Sequence, residues 1–320
     1  MKKLTLALTF GALAAPAIAQ ADCGKVSISE MDWASAQIIT RTSAFLMEQG
    51  YGCDVDIIPS ATTTAVASLA ENGEPDIVTE LWENSTGDAF AKLLESGVIT
   101  PLTDVITPGA VEGWWVPTSL IEEHPEVATI EGILANPELV DGRFNNCPDG
   151  WGCRIVSDNL IEALNMRDTM DIFDHGSGET LGASLASAVE NDEPWLGYYW
   201  GPTAVLGKYD MTRIDLGEVD TEIHTANQNA DNENPAVSDF PVGTVLTVAT
   251  SDLAEREPEI VELMSNVSFE VDTLNMLLAW SDENGASSEE AAVYFLTNYA
   301  DTWSDWVSDA AREELAAFIE

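Results

Sequence analysis

KVSISEMDWASAQIITRTSAFLMEQGYGCDVDIIPSATTTAVASLAENGEPDIVTE (residues 25–80) alternates between two hydrophobic periods. Short β-type runs alternate with longer runs whose apolar residues recur at helical spacing. In chain order the predicted segments are 25–29 (strand), 34–48 (helix), 55–58 (strand), 62–71 (helix) and 76–80 (strand). This order predicts a parallel sheet covered by helices, which is an α/β domain.

The middle of the chain repeats this order and predicts a second α/β unit. Residues 156–164 and 181–190 are typical of helices, and residues 195–200 of a buried strand. Two extended apolar segments, 113–119 and 242–250, are expected to carry the chain from the first unit to the second and back.

Two crossings between two units predict a hinge and a ligand cleft between lobes. The expected division is lobe I from residues 22–117 plus 243–320, and lobe II from residues 118–242. The tail after Glu257 is strongly helical and rich in apolar residues, so we expect it to pack onto lobe I.

The composition excludes several classes of partner. The chain has 320 residues, 45% of them hydrophobic, which is enough for a large core. It has 12 Lys and Arg residues but 56 Asp and Glu residues, which gives a formal net charge of −44. A surface this negative repels phosphate backbones and anionic lipid headgroups, so binding to nucleic acid is excluded.

The N-terminus predicts export. Lys2 and Lys3 precede the apolar residues 4–15, and small residues follow as far as Ala21, so residues 1–21 are expected to be a cleaved signal peptide. A lipoprotein is the competing interpretation because Cys23 follows closely, but Asp22 before it is charged where lipid attachment favours a small neutral residue. No later segment has the apolar length of a membrane helix.

Four cysteines in an exported chain predict two disulfides, for which three connectivities exist. Cys147 and Cys153 enclose a short stretch rich in turn formers, which makes their pairing easy and leaves Cys23 with Cys53. Zinc would require further closely spaced ligands. The three histidines are scattered, so we expect neither a metal nor a cofactor.

No enzyme motif is present. The sequence has no G-x-S-x-G elbow, no H-E-x-x-H, no phosphate-binding loop and no G-x-G-x-x-G fingerprint. Residues 174–179, Asp-His-Gly-Ser-Gly-Glu, are better interpreted as a polar turn than as a nucleophile with its base. We therefore expect a protein that is not an enzyme. An exported hydrolase with a carboxylate pair stays open as the alternative from another class.

Four of the 10 tryptophans lie where strands end or helices begin: Trp33, Trp82, Trp151 and Trp200. Ligands of α/β proteins bind at that edge of the sheet. Several indole faces around one cavity attract a permethylated cation, and quaternary ammonium is the natural guest. Trp195, Trp280, Trp303 and Trp306 are expected in the core. Trp114 and Trp115 are neighbours on an extended segment, so at most one faces the cleft.

Residues 147–153, CPDGWGC, resemble the loop with which glycine betaine-binding proteins of bacterial ABC importers present a tryptophan on a small disulfide loop. Residues 199–202, YWGP, and residues 76–82, DIVTELW, are similar to two further segments of that family. The likeness extends more loosely from Val26 to the C-terminal helices.

The resemblance implies the two-lobed periplasmic-binding-protein fold. It also implies that the protein closes on a methylated ammonium or sulfonium ligand and delivers it to an ABC permease in the inner membrane. It implies a cage of Trp82, Trp151 and Trp200. The backbone N–H groups of Gly152 and Cys153 are then expected to bind a ligand carboxylate, as a helix N-terminus can. We expect a periplasmic monomer.

The chain departs from this family after Trp82, where residues 83–86, ENST, lack a histidine that some members use to bind the carboxylate. Asp32, Trp33, Glu112 and Trp115 are further candidates for ligand contact. Glycine betaine or dimethylsulfoniopropionate is the expected ligand, with choline or trimethylamine N-oxide as alternatives. A receptor-coupled sensor subunit would look the same in sequence.

Overall fold

The structure, a computed structural model, describes residues 23–318, and the expected signal peptide at 1–21 lies outside them. Two five-stranded sheets and a two-stranded sheet form the framework. The strands are β1 Lys25–Met31, β2 Asp54–Ser60, β3 Ile77–Trp82, β4 Ile99–Asp104, β5 Ile106–Thr107, β6 Val111–Pro117, β7 Arg143–Asn146, β8 Asp171–Asp174, β9 Gly197–Gly201, β10 Met211–Arg213, β11 Val245–Thr250 and β12 Phe269–Glu270.

Helices cover the sheets. They are α1 Ala34–Tyr51, α2 Thr62–Asn72, α3 Gly87–Ser96, α4 Thr118–Glu123, α5 Ile130–Ala135, α6 Gly152–Ala163, α7 Gly178–Glu190, α8 Ala204–Lys208, α9 Thr221–Asn227, α10 Ser251–Arg256, α11 Pro258–Asn266, α12 Val271–Asn284, α13 Ser288–Asn298, α14 Ala300–Trp303 and α15 Asp309–Leu315. No helix among the described residues is long and apolar enough to cross a bilayer.

The first sheet has the strand order β2-β1-β3-β11-β4. β1 pairs in parallel with β2 and β3, as the alternating strands and helices predict, whereas β11 returns antiparallel between β3 and β4. All six residues of β3 and all six of β11 are buried, because both faces of the sheet are covered. The C-terminal helices α13 and α15 pack on α1, as expected for the tail.

The second sheet has the order β10-β6-β9-β7-β8. β6 pairs antiparallel with β9, which places residues 111–117 in this sheet. The sequence analysis instead expects residues 113–119 to connect the lobes and lobe I to extend to residue 117. The outward crossing therefore lies before β6, at residues 108–110, and we propose residues 23–110 with 243–318 as lobe I. The confirmed architecture is the mixed α/β, two-lobed one.

The two crossings pair with each other. Ala110 and Gly243 form an isolated antiparallel bridge, with N···O distances of 3.1 and 3.0 Å. A Cβ added to Gly243 would lie 3.2 Å from the ring of Trp82, which is tighter than an ordinary contact. Because residue 243 is glycine, the paired crossings can pack closely against the Trp82 ring.

Both disulfides form as the residues suggested. Cys23 bonds to Cys53, which ties the start of β1 to the loop between α1 and β2, and Cys147 bonds to Cys153. The second bond closes the loop that enters α6. That helix begins at Gly152, four residues before the predicted start at Val156.

Candidate functional site

A small chamber lies between the lobes, with a volume of about 20 Å³. Both lobes contribute to its wall, mostly with aromatic side chains. The lining residues are Trp33, Thr62, Trp82, Ser85, Glu112, Trp151, Gly152, Cys153, Tyr198 and Trp200. The four tryptophans, which we call the cage, are each between 4% and 6% exposed.

The cage rings meet edge to face. The ring of Trp151 lies 5.0 Å from that of Trp33, at 66°, and 4.8 Å from that of Trp200, at 83°. Tyr198 stacks beside Trp200 at 6.3 Å, because residues two apart on β9 share a face. Aromatic faces of both lobes therefore surround the same small space.

Each cage ring sits at the end of an element, as ligand-binding residues of α/β sheets do. Trp33 and Trp151 are the N-cap residues of α1 and α6, and both have extended backbone. Trp82 ends β3, and Trp200 lies near the end of β9. The rigid sheets and helices thus fix the positions of all four.

Three cage indoles donate their N–H groups to carboxylates. Trp33 Nε1 lies 2.5 Å and Trp82 Nε1 3.4 Å from Glu80 Oε1, within lobe I. Trp151 Nε1 lies 2.7 Å from Asp32 Oδ1, and this bond joins lobe II to lobe I. Three rings of one cage are therefore tied to acidic groups.

Glu112 brings a carboxyl group into the chamber wall. It accepts a hydrogen bond from the Tyr198 hydroxyl at 2.7 Å and another from the Asn84 side-chain amide. Burial raises the pKa of Glu112 to about 7, against the hydrogen bonds and the nearby Arg213 guanidinium, which favour the charged form. No Lys, Arg or His is among the residues described as lining this chamber, so Glu112 has no basic neighbour within its described wall.

The first turn of α6 reaches the chamber with Gly152 and Cys153. The first N–H groups of a helix have no acceptor within the helix and point outward from its start. Gly152 also packs against lobe I so closely that an added Cβ would lie 1.7 Å from the carbonyl oxygen of Ser85. Only glycine permits this approach of the two lobes.

Hydrogen bonds across the cleft accompany that approach. Thr63 N donates to Gly150 O at 3.2 Å, and Gly87 N donates to Gln228 Oε1 at 2.6 Å. His224 Nε2 lies 2.9 Å from the carbonyl oxygen of Asn84. The lobes are therefore in a closed arrangement around the cage.

A wider cleft adjoins the cage. Its volume is about 590 Å³, and Trp33 and Trp200 belong to its wall as well as to the chamber's. Small residues of α7 and α8 face the end of α12 across it. Lys208 Nζ lies 3.6 Å from Asp282 Oδ2 at its rim, which adds one more contact between the two lobes.

Most of the candidate residues converge. The chamber brings together Trp82, Trp151, Trp200, Gly152 and Cys153, and also Trp33 and Glu112. Asp32 lies behind the cage as the acceptor of the Trp151 N–H.

The other features that the sequence raised lie elsewhere. Trp115 is not among the chamber's lining residues; its indole N–H donates to the carbonyl oxygen of Tyr199 at 3.0 Å. Trp114 is buried in lobe II against Phe144. Ser177 caps α7, and His175 contacts Asn145, so the 174–179 segment is a turn and a helix start.

Sequence reasoning missed four contributors: the chamber-lining residues Thr62, Ser85 and Tyr198, and Glu80 behind the rings. Tyr198 had a usable signal, since it lies two residues before Trp200 on the same strand and so shares its face. Glu80 had none, because its inward position depends on an irregularity of the pairing between β3 and β11.

Fold and site together define a two-lobed α/β binding protein with an aromatic cage between its lobes. The family model of the substrate binding domain of ABC-type glycine betaine transport systems matches residues 24–298, and the chain belongs to this family.

Known relatives agree with this assignment. The glycine betaine/proline betaine-binding periplasmic protein of Salmonella typhimurium is 22% identical over 222 residues, which cover 64% of this chain and 66% of the relative. Thus the chain matches just under two thirds of that relative's length.

Solved structures share the fold. A glycine betaine, L-proline-binding protein of Borrelia burgdorferi has a TM-score of 0.75 at 16% identity, with coverage of 91% of this chain and 99% of that one. An ABC-transporter choline binding protein in complex with choline has a TM-score of 0.73 at 17% identity, with coverage of 93% and 99%.

Proposed function

We propose that this protein binds a methylated onium zwitterion, glycine betaine or dimethylsulfoniopropionate, in the tryptophan cage. The observation that supports this most is the convergence of four indoles from two lobes on one chamber without a basic side chain in its described wall. Each indole face contributes about 0.5–2 kcal/mol to the binding of a cation. Four faces then supply a large part of the ~8 kcal/mol that micromolar affinity requires.

The first turn of α6 is the proposed site for the ligand's carboxylate. Gly152 and Cys153 line the chamber beside Trp151, and the partial positive charge of a helix N-terminus favours an anion. The present volume of about 20 Å³ is too small for the onium head, so the rings separate to surround it while the backbone binds the acid end. This division fits a zwitterion better than a simple cation.

Closure of the lobes is the proposed conformational step, because the chamber is complete only when both lobes contribute. We further propose that the closed protein acts outside the cytoplasmic membrane, as a monomer, and delivers its ligand to an ABC permease. Family membership and the export pattern at residues 1–21 support this. No catalytic role is proposed.

Choline is the second candidate, and one observation favours it. The Glu112 carboxyl group in the chamber wall is an acceptor for a ligand hydroxyl and a counter-charge for a simple cation. A carboxylate-bearing ligand would meet repulsion from the same group. The N-terminus of α6 thus favours a carboxylate-bearing ligand, whereas Glu112 favours a simple cation. The relative affinities for glycine betaine and choline measure which of the two dominates.

Calorimetric titration of the mature protein with glycine betaine, dimethylsulfoniopropionate, choline and trimethylamine N-oxide tests the proposal. We expect the two carboxylate-bearing compounds to bind most tightly. Tight choline binding without betaine binding would establish the second candidate. Turnover of a substrate, lost on single Asp or Glu substitutions, would instead support a hydrolase.

Replacement of Trp151 by Ala tests the cage. We expect affinity to fall at least ~100-fold, because Trp151 contacts two other cage rings and three faces lose their arrangement. Trp280→Ala is the matched control, since that ring stacks on Tyr294 away from the chamber. Unchanged affinity in Trp151→Ala would remove this residue from the site.

A further inference from the structure

Glu80 lies in an irregular part of β3. Along the β3–β11 pairing, Leu81 lies opposite Leu246 and Val78 lies opposite Val248, so two residues, Thr79 and Glu80, face Thr247 alone. This extra residue is a β-bulge, a device that redirects a side chain and that is frequent beside functional sites. Glu80 has φ of +48°, a left-handed conformation that is costly for a residue with a side chain.

The bulge directs the Glu80 side chain between two cage rings. The residue is fully buried, and its Oε1 accepts from Trp33 Nε1 at 2.5 Å, from Ser35 Oγ at 2.9 Å and from Trp82 Nε1 at 3.4 Å. Its Oε2 is buried without a hydrogen-bond partner among the described residues. One carboxylate therefore connects the two rings that lobe I gives to the cage.

Stability alone does not account for an acid at this position. A buried carboxylate is costly unless it is paired, and in the described part of the chain no basic side chain forms an ion pair with Glu80. A neutral acceptor would serve the two indole N–H groups without that cost. A positive charge that enters the neighbouring chamber would give this carboxylate the counter-charge that the described residues do not supply.

We propose that Glu80 is a positioning residue of the cage, which fixes the rings of Trp33 and Trp82 and whose negative charge makes the cage select a cationic head over a neutral one of the same shape. This inference rests on the proposed function. Sequence motifs and chamber lining do not point to it, because Glu80 lies behind the rings.

Two physical effects produce the selectivity. A hydrogen bond to an ionised acceptor is shorter and stronger than one to a neutral acceptor, so the indole planes are held more firmly. The charge also attracts a cation across a region of low dielectric. Burial raises the pKa of Glu80 to about 7, and a cation in the chamber favours its ionised form.

The positioning role is tested without any ligand, by the indole N–H resonances of ¹⁵N-labelled protein. In Glu80→Gln we expect the Trp33 indole proton to move upfield, because a neutral amide accepts more weakly than a carboxylate. The Trp303 indole donates to the Leu296 carbonyl at 2.8 Å and serves as the internal control. An unshifted Trp33 resonance would overturn the positioning role.

The selectivity is tested with glycine betaine and 3,3-dimethylbutanoate, in which carbon replaces the charged nitrogen. We expect wild type to prefer betaine, and Glu80→Gln to reduce that preference roughly tenfold, or about 1.4 kcal/mol. Glu30→Gln is the control, because Glu30 lies on the neighbouring strand β1 and pairs with Arg41 of α1. This variant is expected to keep the wild-type ratio of the two affinities.

The outcomes separate the two hypotheses. If Glu80→Gln weakens both compounds equally, the residue is merely structural and the selectivity is refuted. If wild type binds neither compound, the proposed ligand class is refuted together with the selectivity, while the Trp33 resonance still decides the positioning role.

Discussion

The two halves of the cage are built differently. In lobe I, the indoles of Trp33 and Trp82 both donate to Glu80 of the same lobe. In lobe II, the indole of Trp151 donates to Asp32, which belongs to lobe I, and its ring leans on rings from both lobes. Opening the cleft would therefore leave the first pair intact and release Trp151.

This difference indicates an order of events. In the proposed function, lobe I presents two fixed ring faces to which an onium head binds first, and lobe II completes the cage as the lobes close. The energy of the late contacts is then available to stabilise the closed state. Three changes, taken from the largest expected effect to the smallest, test this asymmetry.

Gly152→Ala is expected to prevent closure. The added Cβ would lie 1.7 Å from Ser85 O, and because this oxygen is backbone it has little freedom to move aside. We expect ligand affinity to fall at least ~100-fold while each lobe keeps its fold and its Trp33–Glu80 bond. Small-angle scattering should show a protein that stays open at saturating ligand.

Gly176→Ala is the matched control for that change, because a Cβ there meets nothing within 4 Å. Closure and affinity should stay at the wild-type level. A Gly152→Ala protein that binds and closes normally would contradict the close approach of α6 to lobe I.

The pH dependence of affinity reports on the two acids around the cage. Burial raises the pKa of both Glu80 and Glu112 to about 7, so below that pH a bound cation must displace their protons. Affinity should increase from pH 5.5 to pH 8 and level off above about 7. In Glu112→Gln, affinity should increase less steeply with pH. If affinity increases as steeply with pH in this variant as in the wild type, Glu112 is not one of the two titrating acids.

The same shifts predict the stability of the ligand-free protein. The folded state binds these two protons more tightly than the unfolded chain, in which a glutamate has its ordinary pKa of 4.5. Their contribution to the free energy of unfolding is complete below that value and is lost as the pH rises through about 7. Burial also lowers the pKa of His224.

Asp32→Asn should have the smallest effect. The amide oxygen still accepts the Trp151 N–H, so the geometry is kept and only the charge of the bond is lost. We expect a loss of affinity of about 3- to 10-fold, mainly through faster dissociation, since the bond forms on closure. Stopped-flow measurement that shows slower association with unchanged dissociation would argue against a late-forming contact.

The sequence predicted those features that depend on local periodicity. The strand and helix order of residues 25–80 and the positions of four tryptophans at element ends follow from the spacing of apolar residues. The predicted start of α6 is four residues late because Gly152, Cys153 and Arg154 have no amphipathic period. Helix onset there follows from the disulfide loop.

Features that depend on distant pairing were not predictable. The predicted connector at residues 113–119 overlaps β6, because the pairing of β6 with β9 joins segments far apart in the chain. The inward position of Glu80 likewise requires the bulge opposite Thr247. Both belong to tertiary structure, which overrides the local pattern.

A crystal structure with glycine betaine measures directly whether rings of both lobes surround one onium centre. We expect the ligand nitrogen within about 6 Å of the ring centroids of Trp33, Trp82, Trp151 and Trp200. The ligand carboxylate is expected at the first turn of α6. A ligand seated in the wider cleft between α7 and α12, with the cage rings closed on one another, would contradict the proposal.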